Sequence, residues 1–297
     1  MGELAALLTA FFWAFSSLFF TTAGKKVGSL VVNRLRLLFG VVLLGIAHFI
    51  LQGQLLPLDA SAERWFWLGL SGIFGLVIGD GFLLQAYVMI GTRIATLIMA
   101  INPIISTILA WIFLSETLSI PKVIGITLAI VGISVVVLER GNGNLGARDR
   151  RQYVLGILAA VAAAFAMSLG LVFAKKGLVG EFPSISGVII RMLVSLLVVW
   201  VMTFAMGHTR RTLQALRDRA AIRPIALGSV AGPFIGVWLA LIAVQSTYVG
   251  IASTLMSLTP IIVLPFVRYV FKEPVSLRAV FGTAVSLAGV FIIFVIA

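Results

Sequence analysis

The chain has 297 residues, 61% of them hydrophobic and only 11% charged, with a mean hydropathy of +1.17. A soluble domain carries about 25% charged residues, so this composition excludes a water-soluble globule and implies a lipid-facing protein. The formal charge of +12 does not mark a nucleic-acid reader, because its basic clusters "ARDRR" (147–151) and "HTRRTLQALRDRAAIR" (208–223) are short loops beside apolar runs, with no folded domain to present them.

Ten apolar runs follow in order: 3–24, 29–52, 65–90, 93–114, 121–138, 153–174, 184–206, 222–246, 249–271 and 276–296. Each is long enough to cross a hydrocarbon core of about 30 Å as a helix, and strand alternation is absent, which argues against a barrel. The first run lacks a basic leader and a convincing cleavage site, so it is read as a retained helix. Thr9, Trp13, Ser16 and Phe20 share one of its faces. The second run holds Arg34, Arg36 and, near its end, His48, which is read as structural or interfacial. The third places Asp80 and Tyr87 on one face, beside the small-residue pair Gly75 and Gly79. Thr96, Met99 and Asn102 align on the fourth, just before Pro103.

Glu116 precedes the fifth run and is read as a helix-end cap. Lys175 and Lys176 close the sixth, either snorkelling to the surface or reaching a site. Arg191 enters the seventh, Trp238 and Gln245 share a face of the eighth, and Pro260 and Pro265 interrupt the ninth. The longest connections are 139–152 and 207–221, so no soluble domain remains. The chain has no complete phosphate loop, since "AGKKVG" supplies only a Gly-Lys pair, and no H-E-x-x-H. With no Cys there are no disulfides, thiolate metal sites or Cys nucleophile. Paired acids, a Ser or His dyad and a metal cluster do not occur in register, so the chain is not read as an enzyme, and neither metal nor cofactor is expected.

The chain repeats itself at a constant offset of 157 residues. Pro103-Ile104-Ile105 matches Pro260-Ile261-Ile262, Glu116 matches Glu273, Gly125 and Gly132 match Gly282 and Gly289, Gly75 and Gly79 match Gly232 and Gly236, and Arg34 matches Arg191. Earlier, "AGKK" and "FAKKG" correspond if about six residues are inserted. Each copy holds five spans, and an odd number turns the second copy upside down in the membrane, as in alternating-access transporters. The fold expected is therefore all-α and integral to the membrane, with ten transmembrane helices as two inverted five-helix repeats around a central cavity. Residues 1–139 form the first repeat, 140–152 a basic linker and 153–297 the second. Pro103 and Pro260 should kink the fourth and ninth helices, as hinges or as fixed bends.

The Trp of "FFWAFSS" in helix one, the Arg early in helix two ("NRLRLLFG"), the Ala95–Pro103 stretch of helix four, the Gly-spaced fifth helix after a Glu, and "GPFIGVWLALIAVQSTYVGIASTLMSLTPII" in the second half resemble the drug/metabolite transporter superfamily, EamA type. The resemblance covers nearly the whole chain. It implies ten helices, a central cavity, a multi-pass place in a bacterial inner membrane, and export or exchange of small metabolites without ATP. It also implies cytoplasmic termini. The charges point the other way: 17 of the 22 Lys and Arg lie on the side opposite the termini, which the positive-inside tendency assigns to the cytoplasm.

Ionisable groups at membrane depth are candidate functional residues, because they are costly without a wet cavity or a partner. Arg34, Arg36, Asp80, Arg191 and the Lys175/Lys176 pair qualify. Asp80 stands apart because its repeat partner is Val237, which fits an asymmetric ligand site better than a requirement of the repeat. The candidates for substrate binding or coupling are Asp80, Trp13, Arg34, Tyr87, Asn102, Lys176, Arg191, Trp238 and Gln245, with Pro103 and Pro260 as hinges. Aromatic walls with charges of both signs suit a zwitterion such as an amino acid or another small polar metabolite. Asp80 either binds a substrate cation or carries a coupled proton. The functional expectation is a secondary transporter in a lipid bilayer, exporting or exchanging small molecules. The competing class is a non-transporting membrane receptor or structural protein.

Overall fold

The computed structural model describes residues 1–139, 150–262 and 277–295, and every regular element among them is helical. Glu273 and Pro265, both singled out above, lie outside the described residues, as does most of the 140–152 linker. Among the described residues, seven helices are long and apolar enough to cross a membrane, and three shorter apolar helices, Ile120–Val136, Val249–Ile262 and Val280–Phe294, accompany them. Large apolar side chains such as Ile50, Val88 and Val201 stand outward on the surface, as a lipid-facing exterior requires.

Helix α1 (Gly2–Val27) turns back into α2 (Ser29–Gln52) at Gly28 alone, whose φ of 90° is open to a residue without Cβ. Helix α3 (Ala62–Gly72) starts on Ser61, whose hydroxyl accepts from the Arg64 amide, and α10 (Arg219–Ser229) starts on Asp218, whose carboxylate accepts from the Ala220 amide at 2.9 Å. These two caps sit 157 residues apart, as do the elements that follow them. Helix α3 widens into a π-helical stretch, Ile73–Gly79, before α4 (Asp80–Met99), and α10 widens at Val230–Gly236 before α11 (Val237–Ser246).

The glycines of both stretches explain how neighbouring backbones come so close. A Cβ at Gly75 would stand 2.5 Å from Nη2 of Arg191, and one at Gly79 would stand 2.6 Å from Met167. In the second half a Cβ at Gly236 would stand 2.7 Å from the Trp13 ring, and one at Gly232 would run into the Ser16 hydroxyl. Thus α7 (Arg150–Gly177) lies along α3, α4 and their π stretch, while α1 lies along α10, α11 and theirs. Two hydroxyls mark these crossings: Ser71 Oγ donates to the Gly170 carbonyl at 2.5 Å, and Ser16 Oγ to the Gly228 carbonyl at 3.0 Å. Helix α2 meets its repeat counterpart α8 (Ser184–Ala205), and α6 (Ile120–Glu139) meets α13 (Leu277–Val295).

Two departures from the sequence expectation concern helix breaks. The connection expected at 91–92 is absent, and α4 continues as helix from Asp80 to Met99. The matching place in the second half does break, at an extended Thr247 with φ −139° and ψ 176°. The two prolines also do not kink continuous helices. Helix α4 stops at Met99 and α5 (Asn102–Leu114) begins afresh with Pro103 in its first turn. Likewise α12 (Val249–Met256) stops, 257–258 form a turn, and helix resumes at 259 with Pro260. A proline in a first turn costs little, because the amide it lacks would have had no intrahelical acceptor. His48 is structural: its ring nitrogens meet the Gln54 carbonyl at 2.5 Å and Ser186 Oγ at 2.9 Å.

Candidate functional site

The two helix breaks lie on one cavity of about 430 Å³. Met99, Ala100 and Asn102 come from the first break, and Met256, Ser257, Thr259 and Pro260 from the second. Trp13, Tyr87 and Phe20 supply aromatic wall, and Met167 and Met192 add polarisable surface.

Among the described residues, three charged side chains reach the cavity: Arg36, Asp80 and Arg191. Arg36 is ion-paired with Asp80 through Nη2, and its Nε donates to Asn33 Oδ1 at 2.7 Å. The Phe20 ring lies 5.8 Å from the guanidinium carbon of Arg36, within cation–π range. Asp80 is therefore held by a local cation, and it also lies within the electrostatic reach of Arg191. Arg191 is 6% exposed, and its Nε has no hydrogen-bond partner. Two guanidiniums against one carboxylate leave this set of lining residues with one uncompensated positive charge.

Asn102 sits at the start of α5 with its side-chain oxygen crowded by hydroxyls. Ser106, Ser168 and Ser253 place their Oγ atoms 3.0, 3.3 and 3.5 Å from Oδ1. Ser168 Oγ also lies 3.2 Å from the Asn102 backbone carbonyl, so Ser106 is the nearest donor to Oδ1, and with that oxygen accepting, the amide nitrogen of Asn102 remains as a donor.

Beyond the cavity, on the side of the α5 and α7 C-termini, the two halves are tied together. Lys175 Nζ lies 2.5 Å from Glu116 Oε1 and donates to the Thr247 carbonyl at 2.6 Å. Glu116 Oε2 accepts from the Val249 amide at 2.8 Å, and Thr247 Oγ1 donates to Glu3 Oε1 at 2.7 Å. This network links the start of α1, the segment after α5, the end of α7 and the α11–α12 connection. Glu116 caps the start of α12 through space and not a helix adjacent in sequence, which the sequence reading did not foresee.

Of the residues singled out from sequence, Asp80, Trp13, Tyr87, Asn102, Arg191 and Pro260 line the cavity, while Arg34, Lys176, Trp238, Gln245 and Pro103 do not. Arg34 is buried and donates from Nη1 to Thr212 Oγ1 at 3.0 Å, anchoring the short helix α9 (Thr209–Ala215). The Lys176 ammonium lies 4.7 Å from the Trp67 ring centre. Trp238 donates to Ser184 Oγ at 3.2 Å, and Gln245 Nε2 donates to the carbonyls of Leu178 and Phe182, fastening the α7–α8 connection. Arg36, an ionisable group at membrane depth, also lines the cavity, although its sequence position alone does not separate it from a structural cation. Thr259 and Ser253 carried no sequence signal beyond the repeat register, which sets Thr259 opposite Asn102 and Ser253 opposite Thr96.

The EamA-like transporter family matches residues 1–138 and 154–295. A protein of Archaeoglobus fulgidus named "uncharacterized transporter" is 26% identical over 222 residues, 75% of each chain. A solved crystal structure superposes with a TM-score of 0.78 over 100% of this chain and 96% of the other, at 19% identity, a likeness of fold alone. The chain belongs to the EamA-like transporter family and is an integral membrane transporter with multiple transmembrane helices.

Proposed function

We propose that this protein is a secondary carrier with ten membrane spans in two inverted five-helix repeats, exporting or exchanging a small polar metabolite of amino-acid size through its central cavity. The observation that carries this reading is the cavity between two equivalent helix breaks, at Asn102-Pro103 and Thr259-Pro260, with Arg36, Asp80 and Arg191 at its wall. Helices interrupted beside a polar cavity are how transporters expose donors to a solute at membrane depth. The repeat is supported by caps, π stretches and breaks that recur at the 157-residue offset, and by the exchange of partners between α1 and α7.

The Glu116–Lys175 network is then the closed gate of the captured conformation. With the cation-rich ends in the cytoplasm, that gate faces the exterior of a bacterial inner membrane. Opening it must break an ion pair between the halves, which a substrate-driven rocking of one half against the other would do.

Counterflow measures this directly. Purified protein in liposomes preloaded with unlabelled amino acids and organic acids should accumulate the labelled solute it carries, without ATP. Equal labelling of protein-containing and empty liposomes across the panel would leave a receptor or structural role.

A further inference from the structure

The cavity's donors and acceptors are unequally engaged. Asp80, the one carboxylate among its described lining residues, already holds Arg36. The second cation, Arg191, is nine-tenths buried with Nε unpartnered, and Asn102 presents an amide whose oxygen is occupied by serine hydroxyls. Burying an arginine without a full complement of acceptors costs free energy that a bound anion would recover. Arginine is also the side chain whose planar fork matches a carboxylate. Gly75 makes room for the Arg191 guanidinium at the cavity wall, since a Cβ there would stand 2.5 Å from Nη2.

Resting on the transport reading above, we propose that this cavity recognises its substrate by a carboxylate and not by an amine. Arg191 receives the carboxylate, and Asn102 adds a donor. The body of the solute lies on Trp13, Tyr87 and the methionines. Asp80 takes no substrate cation, because Arg36 already occupies it. The solute class is a small organic acid of net charge −1, and an α-amino group is dispensable. This narrows the zwitterion expected from sequence, whose amine would have needed Asp80 free.

The test is thermal unfolding of the full-length protein in lipid nanodiscs with matched probes: butyrate, benzoate, phenylacetate and phenylalanine, each beside its primary amide, and phenethylamine as a cation without a carboxylate. Acids should raise the melting temperature at concentrations at least about tenfold below their amides, and phenylacetate should do so as well as phenylalanine. Arg191→Gln should abolish the preference for acid over amide, Arg191→Lys should retain part of it, and Gly75→Ala should weaken acid binding by crowding the guanidinium. Amides or phenethylamine acting as well as acids on the unmodified protein overturns the assignment, whatever the variants do. So does Arg191→Gln with an unchanged preference, or the absence of a shift with every acid. Counterflow separates the two readings: flux of neutral or cationic solutes with no acid preference leaves transport standing and removes only the carboxylate site, whereas no flux of any solute removes both.

Discussion

Lys175 and Glu116 stand 2.5 Å apart, joining the C-terminal end of α7 to the segment that follows α5, and so joining the second half of the chain to the first. The Glu116 side chain is only 9% exposed, so its charge needs this partner and the Val249 amide that donates to its other oxygen.

If this pair is the closed gate, removing it should open the cavity from that end. The chain has no native Cys, so Ser257→Cys on the cavity wall is a clean reporter. Glu116→Gln or Lys175→Met should speed the labelling of that introduced thiol by an impermeant maleimide applied from the Lys175 side. The expected gain is about tenfold, the shift produced when about 1.4 kcal/mol leaves the closed state. Labelling that stays at the rate of the Ser257→Cys parent in both variants would mean that the pair only packs helix ends.

Asp80→Asn removes the carboxylate from Arg36 and leaves two guanidiniums at the cavity with no acid between them. Loss of one partner of a partly buried pair should lower stability by about 1–3 kcal/mol, and Arg36→Gln added to Asp80→Asn should recover part of it. Melting of the two single variants and the double variant checks this. The same proteins separate the two roles expected for Asp80 from sequence. Weakened binding at every pH assigns it to the solute. Intact exchange with lost accumulation under a pH gradient assigns it to a coupled proton. Wild-type behaviour in both assays leaves an ion pair that only holds α2 to α4.

What was legible in the sequence was whatever the chain encodes locally or repeats. Apolar run length located most helices, and the 157-residue offset paired Gly75 and Gly79 with Gly232 and Gly236 and Pro103 with Pro260. Nothing in it showed that those glycines lie in π stretches or that the prolines restart helices where kinks were expected. Pairing across the molecule was not legible. Arg36 and Asp80 lie 44 residues apart on different helices, and no periodicity joins them. Periodicity says which residues share a helix face, but not which way the face turns. Trp238 and Gln245 do share one, and it turns toward Ser184 and the α7–α8 connection, not toward the cavity. Arg34 and Arg191 occupy equivalent repeat positions, yet only Arg191 meets the cavity, because Arg34 is taken up by Thr212 on α9.

Pro103 and Pro260 stand where helices restart, so their replacement should be tolerated locally. Alanine restores an amide in a first turn and lets helix run through the break. Folded yield for Pro103→Ala and Pro260→Ala should stay near wild type, while counterflow slows several-fold because Asn102 or Thr259 is re-aimed. Rates equal to wild type at matched protein levels would reduce both breaks to packing.

The geometry of the α6–α13 contact is strict. A Cβ at Gly125 would stand 2.8 Å from the Gly289 carbonyl oxygen, and one at Gly282 the same distance from the Gly132 carbonyl oxygen; Gly132 likewise faces the backbone of Gly282 and Ser286. Repeat partners thus cross reciprocally, backbone on backbone, and Ser286 Oγ donates to the Ala129 carbonyl at 3.3 Å inside the crossing. A side chain can rotate away from an added methyl group, but a carbonyl within a helix cannot, so the helices must separate. In lipid, close packing and not hydrophobic burial holds two apolar helices together, so a small separation forfeits much of the attraction. Gly132→Ala should therefore destabilise the fold by about 1–3 kcal/mol, seen as a lower melting temperature in nanodiscs. Gly81→Ala is the control, since nothing lies within 4 Å of the Cβ it would add. Equal melting of the two variants would show that the seam yields, and that the glycines are not what brings α6 and α13 together.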